Sequence, residues 1–535
     1  MAGGRLVDDV LTRIRDGRSR RPVHVTVVGA EPYGAYNRVL LSDVVAGRAD
    51  VATLSLHDPR TLADAGVDVR VGDAVRSIDL PAHGQGDVSA DVLADAFTDA
   101  PADGAGAPSP GTVTLASGAV ITFDRLVLAT GAEPVVPALS GLDVTTGELP
   151  AGVHTLRTVD DAREIVAATV NARTAVVLGG GPLGLEAARG LARRGLDVTV
   201  LHSGGHLLEG LLDAAGAAVL DRSLRRLGVA TRCAVRATGI ETVTGPDGVR
   251  RLAGVRLADG PVAPAQVLVI ACGVRPRTGL ARGAGLVVRR GVVVDDALTT
   301  SDPRVLAIGD CAEHRGQVSG LVAPAWGQAA AVADLLTGAD PDARWSGHRP
   351  TVRLKAADVE VAAVGACAAD PWTDEAGVDV VQLLDPGAGR YVKAVVRDGV
   401  VVGAIAVGDA RAAADLTLLV ERGSTAPLDR TSLVTGAARR AGVTADDPTR
   451  IPDRATVCRC NGVTKGAIVR AWSAGARTRD AVTRTTRATT GCGSCAEIVG
   501  GLLAWLDASD PDDERTQAPS HDLGRRAVTA TGGKP

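Results

Sequence analysis

The sequence predicts an α/β protein in which two domains of alternating strands and helices are followed by two smaller domains. Three observations support this fold class. Strand, glycine-rich turn and helix occur together twice, once near the amino terminus and once around residues 174–202. A pair of alternating strands with Asp398-Gly399 at its turn indicates a small α+β domain. Four of the eight cysteines cluster near the carboxyl terminus, which is typical of a small metal-binding domain.

Size and composition favour a globular protein of several domains. The chain has 535 residues, of which 45% are hydrophobic, and its formal net charge is -4. This charge does not favour nucleic acid or an anionic membrane as a partner. We expect a cytoplasmic protein, because no long apolar run predicts a membrane helix and charges occupy the place of a signal-peptide core.

Four cysteines are scattered and are predicted to be ordinary buried thiols. They are Cys233, Cys272, Cys311 and Cys367.

The other four cysteines form two close pairs near the end of the chain, and in a reducing cytosol such a cluster indicates metal rather than disulfides. They are Cys458, Cys460, Cys492 and Cys495. Four thiolates in two pairs suit either tetrahedral zinc or a [2Fe–2S] cluster. The single-residue gap in the first pair favours the iron–sulfur cluster, as do flanking glycines whose N–H groups can point at sulfur.

The strongest nucleotide signal is the segment TAVVLGGGPLGLEAARGLARRGLDVTVLHSG. A strand leads into Gly179, Gly181 and Gly184, and a helix and a second strand follow. The first glycine allows a tight turn, the second lets the backbone approach a pyrophosphate, and the third lets helix and strand pack closely. This arrangement predicts a Rossmann-like domain that binds NAD(P)H.

His202 occupies the position after the second strand that usually carries an acidic residue for the adenosine ribose. Neither a carboxylate for a 2′-hydroxyl nor an arginine for a 2′-phosphate stands there. The local chemistry leaves NADH and NADPH both open, with NADH favoured. His202 is either a neutral hydrogen-bonding group or a residue merely exposed at a strand end.

Three further stretches complete a nucleotide-binding pattern. FDRLVLATGAEPVVP carries Thr130-Gly131 after an apolar strand, RVLAIGDCAEH carries Gly309-Asp310, and Glu31 follows an early strand. Together with the glycine motif, they resemble the flavoprotein superfamily with two dinucleotide-binding domains. This resemblance implies FAD as a cofactor and an NAD domain inserted within the FAD domain.

The resemblance also implies which residues contact the cofactors, with Glu31 on the adenosine ribose of FAD and Asp310 on its ribityl chain. The residues assigned to FAD are Gly3, Glu31, Arg38, Val75, Thr130, Gly131, Gly309 and Asp310. The residues assigned to NAD(P) are Gly179, Gly181, Gly184, Glu186, His202 and Gly273.

Many members of this superfamily carry a redox dithiol early in the chain or in the NAD domain. The first cysteine here is Cys233, and none lies near Gly179. A disulfide-reductase mechanism is therefore disfavoured, and no side chain is expected to act as a catalytic acid, base or nucleophile.

Residues 453–507 resemble the domain typified by bacterioferritin-associated ferredoxin (BFD), whose cysteines bind [2Fe–2S] at this spacing. Three segments are similar to the front half of NAD(P)H nitrite reductase large subunits: CRCNGVTKGAI, TTGCGSC and, near the start, AYNRVLLSDVVAG. They are equally similar to electron-transfer subunits of assimilatory nitrate reductases. The nitrite reductase subunit continues with sirohaem and [4Fe–4S] domains that carry further cysteines, whereas no cysteine follows Cys495 in this sequence. The resemblance therefore implies that this chain passes electrons on.

The resemblance implies a path in which NAD(P)H gives hydride to FAD, and single electrons then pass through the [2Fe–2S] cluster to a terminal reductase. The leading expectation for that partner is a molybdenum nitrate reductase. Two alternatives stay open: the reductase half of a split nitrite reductase, and a reductase for a small ferredoxin or rubredoxin-type carrier. An alternative of another class is a non-catalytic iron–sulfur sensor or binding module with a vestigial flavin domain.

The expected organisation has three cofactor-binding parts and several connecting segments. These are the first part of the FAD domain (1–148, with a disordered insertion at 82–111), the NAD(P) domain (149–283), the second part of the FAD domain (284–342), a small α+β domain (345–420), a linker (421–452), the BFD-like domain (453–507) and a disordered tail (508–535).

The first seventeen residues, MAGGRLVDDVLTRIRDG, predict a helix without the strand that precedes it in the superfamily. If this helix corresponds to the first helix of the superfamily, the resemblance implies that Gly3 is the third glycine of the flavin-binding fingerprint. We expect roughly ten further residues upstream of Met1, including a strand of about five, and impaired FAD binding without them. Sequencing the mature amino terminus tests this expectation, and a stop codon directly before Met1 would contradict it.

Overall fold

The computed structural model describes residues 1–535 except 57, 82–108, 143–148, 349–350, 355, 357, 373, 437–450, 454, 459–460, 490–494 and 510–535. The chain divides into two compact units, Met1–Val443 and Thr444–Pro535. The predicted disordered segments, 82–111 and 508–535, lie almost wholly outside the described residues. Among the residues that are described, no helix has the length and apolar character needed to cross a membrane.

The first part of the chain begins with an amphipathic helix that buries Leu6, Val7 and Val10. Its elements are α1 (Ala2–Arg15), β1 (Thr26–Gly29), α2 (Leu41–Val45), α3 (Pro59–Asp64), β2 (Asp68–Val71), β3 (Val75–Asp79), β4 (Gly111–Leu115), β5 (Val120–Phe123), β6 (Leu126–Leu128) and β7 (Ala132–Pro134). Strands β1 and β2 pair in parallel, whereas β3, β4 and β5 form an antiparallel sheet.

The next part is built on a parallel sheet with strand order β11-β10-β9-β15-β8, whose central strands are buried on both faces. The elements of this part are β8 (Val153–Thr155), α4 (Val159–Ala168), β9 (Thr174–Leu178), α5 (Pro182–Arg193), β10 (Asp197–Leu201), α6 (Ala214–Arg226), β11 (Val229–Arg232), β12 (Ala237–Thr244), β13 (Arg250–Leu257), β14 (Val262–Pro264), β15 (Val267–Ile270), β16 (Val274–Pro276) and α7 (Gly279–Gly283). This is the predicted Rossmann-like arrangement of strand, helix and strand around the glycine motif.

The chain then returns to the first part of the fold. The returning elements are β17 (Val292–Val294), β18 (Val305–Ala307), β19 (Ala312–His314), β20 (Gln317–Val318) and α8 (Val322–Thr337). Strand β18 pairs in parallel with β6, and α8 packs against α1. The parallel-sheet part is therefore an insertion within the first domain, as the fold prediction states, while the expected strand upstream of Met1 stays a prediction.

A five-stranded antiparallel sheet with order β21-β22-β25-β24-β23 follows. Its elements are β21 (Thr351–Leu354), β22 (Val361–Gly365), β23 (Val378–Asp385), β24 (Arg390–Arg397), β25 (Val400–Val407), α9 (Ala410–Arg422) and α10 (Thr431–Thr435). The predicted hairpin is present, and Asp398 and Gly399 both take positive φ at its turn, 49° and 76°. Within the segment predicted as a linker, 421–452, Leu433 and Val434 of α10 are buried against this sheet.

The second unit is small and mostly helical, with a core that includes the fully buried Ile468, Val482, Val499 and Leu502. Its elements are β26 (Thr456–Cys458), β27 (Val463–Thr464), α11 (Lys465–Ser473), α12 (Arg479–Thr486) and α13 (Ala496–Ala508). Threonine side chains cap the first two helices, as is usual for helix starts: Thr464 accepts from the N–H of Ala467, and Thr478 from that of Ala481.

A buried polar cluster joins the parallel-sheet domain to the antiparallel sheet. The Lys393 ammonium lies 2.9 Å from Asp213 Oδ2, and the Tyr391 hydroxyl donates to the same oxygen at 2.6 Å. Both donors are buried in β24, whereas Asp213 caps α6 by accepting from the N–H of Gly216. Burial alone would raise the pKa of Asp213, but these three hydrogen bonds and the lysine charge hold it below its usual value.

Replacing Asp213 by Asn keeps the helix cap but leaves the Lys393 charge buried without a counter-charge. We expect Asp213→Asn to lower the free energy of unfolding by about 3 kcal/mol, measured by guanidinium titration. The double variant Asp213→Asn/Lys393→Met should recover part of that loss, and failure to do so would contradict the assignment. Asp247→Asn, which weakens an exposed ion pair with Arg251, is the matched control and should leave the unfolding midpoint unchanged.

Candidate functional site

The glycine motif forms the turn between β9 and α5. Gly179 has φ of +120°, and a β-carbon there would overlap the carbonyl oxygen of Ala271 at the end of β15. A β-carbon on Gly184 would overlap the carbonyl oxygen of Gly179, so the helix can approach the strand only without a side chain at this position. These two glycines therefore act as the sequence predicts, one for the turn and one for helix–strand packing.

Gly181 differs from the other two because it faces open space. It is the N-cap residue of α5 with φ of −80°, and a β-carbon there would meet nothing within 4 Å. The free N–H groups of the helix start therefore point toward a region that an anionic group can enter. This is the geometry that a dinucleotide pyrophosphate requires, and the site fits NAD(P)H.

The other three residues predicted for NAD(P) lie at different places around this turn. His202 directly follows β10, and its Nδ1 accepts a hydrogen bond of 3.3 Å from the N–H of Gly180. Glu186 lies on α5, where its Oε2 accepts from the Ser42 hydroxyl at 2.7 Å, so it contacts the first domain. Gly273 lies between β15 and β16, and its carbonyl accepts from the N–H of Val135.

On the FAD side, Glu31 and Arg38 form an ion pair, as their joint assignment to one site suggests. The Tyr36 hydroxyl donates to the other carboxylate oxygen of Glu31 at 2.6 Å. Burial and this hydrogen bond raise the pKa of Tyr36, so the phenol stays protonated and remains a donor. Arg38 also donates to the carbonyl of Arg157 at 3.0 Å, which ties the loop after β1 to the segment after β8.

Asp310 and Gly309 lie just beyond the end of β18. An Arg157 guanidinium nitrogen lies 2.6 Å from Asp310 Oδ2, and Arg157 also donates to the Ala132 carbonyl. The N–H of Gly309 donates to the buried side chain of Gln328 in α8 at 2.7 Å. Arg157 and Gln328 are not among the residues that the sequence analysis assigns to FAD.

The remaining FAD candidates surround the start of α1. A β-carbon on Gly3 would lie 3.4 Å from that of Ala129, and one on Gly309 would lie 2.9 Å from that of Ala2. The helix start therefore approaches the carboxyl ends of β6 and β18 closely, as a dinucleotide cradle requires. Thr130 donates to the carbonyl of Arg277 at 2.8 Å.

The last two FAD candidates lie beside this cradle and in the neighbouring sheet. Gly131 takes φ of +70° next to Arg157, and Val75 begins β3. Arg38 and Arg157, each paired with a carboxylate, lie close to a helix start, so the cradle holds the donors and acceptors that FAD requires.

In the second unit, Cys458 and Cys495 are both buried, and the thiol of Cys495 contacts that of Cys458. This contact, with N–H groups of Thr489 and Asn461, holds the pKa of Cys458 well below its usual value. The Asn461 amide lies 3.7 Å from Cys458 Sγ and also donates to a backbone carbonyl. A thiolate surrounded by N–H donors suits an iron–sulfur ligand. The other two predicted ligands, Cys460 and Cys492, lie outside the described residues.

The prediction that the scattered cysteines are buried thiols is wrong for Cys272. Cys311 is buried and Cys233 and Cys367 are half-buried, but Cys272 is exposed. Its position explains the exposure, because it follows β15 at the open carboxyl edge of the parallel sheet, beside the glycine turn. All four are free thiols.

The profile of one protein family matches residues 13–329, more than half of the chain. The chain belongs to the pyridine nucleotide-disulphide oxidoreductase family. This family supports the predicted activity, that of an NAD(P)H-dependent flavin oxidoreductase. Profiles of the BFD-like [2Fe–2S] binding domain and of the rubredoxin NAD+ reductase C-terminal domain match residues 456–505 and 350–424. The predicted fold class and the cofactors FAD, NAD(P)H and [2Fe–2S] are confirmed by these matches.

Relatives of this flavoprotein include enzymes of nitrogen metabolism. It is 31% identical over 514 residues to NAD(P)H nitrite reductase of Bacillus subtilis. It is 30% identical over 513 residues to the assimilatory nitrate reductase electron transfer subunit of the same organism. These alignments cover 96% and 95% of the chain, but only 57% and 59% of the relatives. The chain therefore spans less than two thirds of the length of these relatives.

Solved structures of ferredoxin-type reductases share the fold of this flavoprotein. A ferredoxin reductase from Rhodopseudomonas palustris superposes with a TM-score of 0.62 at 26% identity, covering 81% of this chain and 97% of the other. Putidaredoxin reductase in its complex with putidaredoxin gives a TM-score of 0.64 at 22% identity, covering 82% and 97%.

Gly181 offers a test of the nucleotide site that separates binding from folding. Because alanine fits its backbone and surroundings, Gly181→Ala should leave the melting temperature unchanged. A methyl group in front of the helix start should nevertheless weaken NADH binding by about tenfold or more, measured by calorimetry on the FAD-loaded protein. Gly283→Ala in α7, where a β-carbon also meets nothing within 4 Å, is the matched control. An unchanged NADH affinity in Gly181→Ala would show that the nucleotide binds elsewhere.

Proposed function

We propose that this protein is the electron-transfer component of a nitrate-assimilating system, taking electrons from NAD(P)H and delivering them to a separate molybdenum nitrate reductase. The observation that carries the proposal is a complete dinucleotide turn in the same chain as a BFD-like [2Fe–2S] domain. The similarity to an assimilatory nitrate reductase electron transfer subunit over 95% of the chain supports the choice of partner. We place the protein in the cytoplasm, where its free thiols stay reduced.

Bound FAD supplies the conversion between two-electron and one-electron chemistry, since it accepts a hydride and releases electrons singly. The residues of the chain bind and orient it. Arg38 and Arg157 would offer hydrogen-bond donors beside the start of α1, where a pyrophosphate would be held. Glu31 and Asp310 supply carboxylates for hydroxyl groups, and each is already fixed in place by an arginine.

NAD(P)H would bind at the start of α5, with its pyrophosphate in front of Gly181. The glycine turn is positioned by β9, and Gly179 and Gly184 let it lie directly against the backbone that follows β15. Glu186 has another role in this proposal, since its hydrogen bond to Ser42 joins α5 to the first domain. It would hold the two nucleotide sites in a fixed relation rather than contact NAD(P)H.

The [2Fe–2S] cluster would be held by Cys458, Cys460, Cys492 and Cys495. The pKa of Cys458 is already held below its usual value, and the Asn461 amide lies within reach of its sulfur. Such N–H groups stabilise negative charge on sulfur and so raise the cluster's tendency to accept an electron.

A reductase for a small iron–sulfur carrier is the second candidate function. It is favoured by the match of residues 350–424 to the C-terminal domain of rubredoxin NAD+ reductase. Reconstitution of the purified protein with NADH and each acceptor decides between the two. Nitrate reduction that needs both this protein and a nitrate reductase supports the first candidate. Rapid reduction of a ferredoxin or rubredoxin by this protein in the absence of nitrate reductase supports the second.

The cysteine assignment is tested by Cys458→Ser. We expect the variant to lose the broad [2Fe–2S] absorption and keep its flavin bands, which NADH should still bleach. Electron delivery to nitrate reductase should fall by roughly tenfold or more, because the one-electron carrier is gone. Cys233→Ser, a half-buried thiol of the other unit, is the control and should change neither spectrum nor rate. A wild-type protein without flavin bands, or a Cys458→Ser protein with an intact cluster spectrum, would contradict the proposal.

A further inference from the structure

The loop that follows β10 is folded back onto the glycine turn by two hydrogen bonds to one residue. The N–H of Gly180 donates to His202 Nδ1 at 3.3 Å, and the carbonyl of Gly180 accepts from the N–H of Leu208 at 3.0 Å. Leu208 is buried and takes φ of +53°, which is rare for a bulky residue. Such a strained turn persists only where its surroundings hold it, and it directs the next residue, Glu209, back toward His202.

The hydrogen bond from Gly180 fixes the tautomer of the neutral His202 ring. A backbone N–H can only donate, so Nδ1 is the unprotonated acceptor and the proton resides on Nε2. His202 Nε2 is buried and has no hydrogen-bond partner in the described protein. The Nε2–H group of His202, at the end of β10, is therefore a donor with a fixed direction and no acceptor among the described residues.

A carboxylate lies beside this donor. A β-carbon on Gly204 would overlap Glu209 Oε2 and lie 2.7 Å from His202 Nε2, so both atoms border the same small space. The other oxygen of Glu209 accepts from the N–H of Gly205 at 3.3 Å, which holds the side chain over the loop. The end of β10 thus has an acidic group after all, supplied from seven residues further along the chain than His202.

The nearest cation on the neighbouring strand is already paired. Arg232 ends β11, its carbonyl accepts from the N–H of His202, and its guanidinium lies 2.8 Å from Asp259. The local charge next to His202 is therefore negative, from Glu209, with the arginine neutralised. A ribose hydroxyl can donate to such a carboxylate, whereas a 2′-phosphate would be repelled by it.

We propose that His202 and Glu209 together bind the adenosine ribose of the pyridine nucleotide and make the enzyme select NADH over NADPH. Glu209 accepts a hydrogen bond from a ribose hydroxyl, and His202 Nε2 donates one to a ribose oxygen. This inference rests on the nucleotide site of the proposed function and adds to it the residues that decide specificity.

The test measures binding without turnover, using calorimetry on the FAD-loaded protein with ADP-ribose and with its 2′-phosphorylated form. We expect the wild type to bind ADP-ribose at least about tenfold more tightly than the phosphorylated ligand. Glu209→Gln should weaken ADP-ribose binding severalfold and strengthen binding of the phosphorylated form, so the two affinities converge. His202→Phe should weaken ADP-ribose binding, because it removes the donor. Glu164→Gln, an exposed carboxylate on α4, is the charge-matched control and should change neither affinity.

Three results would overturn the inference. The first is an unchanged ratio of affinities in Glu209→Gln. The second is preferred binding of the phosphorylated ligand that Arg232→Gln abolishes, since the loop would then bind a phosphate. The third is ADP-ribose binding that His202→Phe leaves intact. These outcomes leave the electron-transfer function standing, whereas a wild type that binds neither ligand would overturn both the proposed function and this inference.

Discussion

The parallel pairing of β6 with β18 is the constraint on which the rest of the first unit depends. Three residue pairs, from Leu126–Val305 to Leu128–Ala307, join segments that are separated by the whole inserted domain. Because parallel strands end at the same edge of a sheet, this pairing places Thr130 and Asp310 next to each other. It also requires the inserted domain to begin and end at neighbouring points, where the antiparallel pair of β7 and β16 lies.

The polar contacts around this pairing reinforce it. Arg157 belongs to the inserted domain but binds Asp310 and Ala132, one on each side of the pairing. The buried side chain of Gln328 in α8 accepts a hydrogen bond from the N–H of Gly309. The cofactor cradle is therefore a product of segments far apart in the chain, and each contributes one or two polar groups.

Local signals in the sequence were sufficient to predict the glycine turn, the hairpin at Asp398-Gly399 and the paired cysteines of a metal-binding domain, whereas the BFD-like fold of that domain came from a resemblance. Each depends on backbone conformation or on spacing within one segment, which a single sequence records directly. Arg157 could not be predicted in this way, because its role arises only when distant strands pair. Glu209 was missed for a different reason: a strained turn at Leu208 returns it to a position that is ordinarily filled by the residue directly after the strand.

The buried lysine between the parallel and antiparallel sheets has a consequence for motion during turnover. A rotation of the nucleotide domain that separated α6 from β24 would expose a charge in a partly apolar gap and break the two hydrogen bonds that Asp213 accepts from Tyr391 and Lys393. The two domains should therefore move as one body. Any displacement of the nucleotide domain during turnover would then carry the antiparallel sheet along with it.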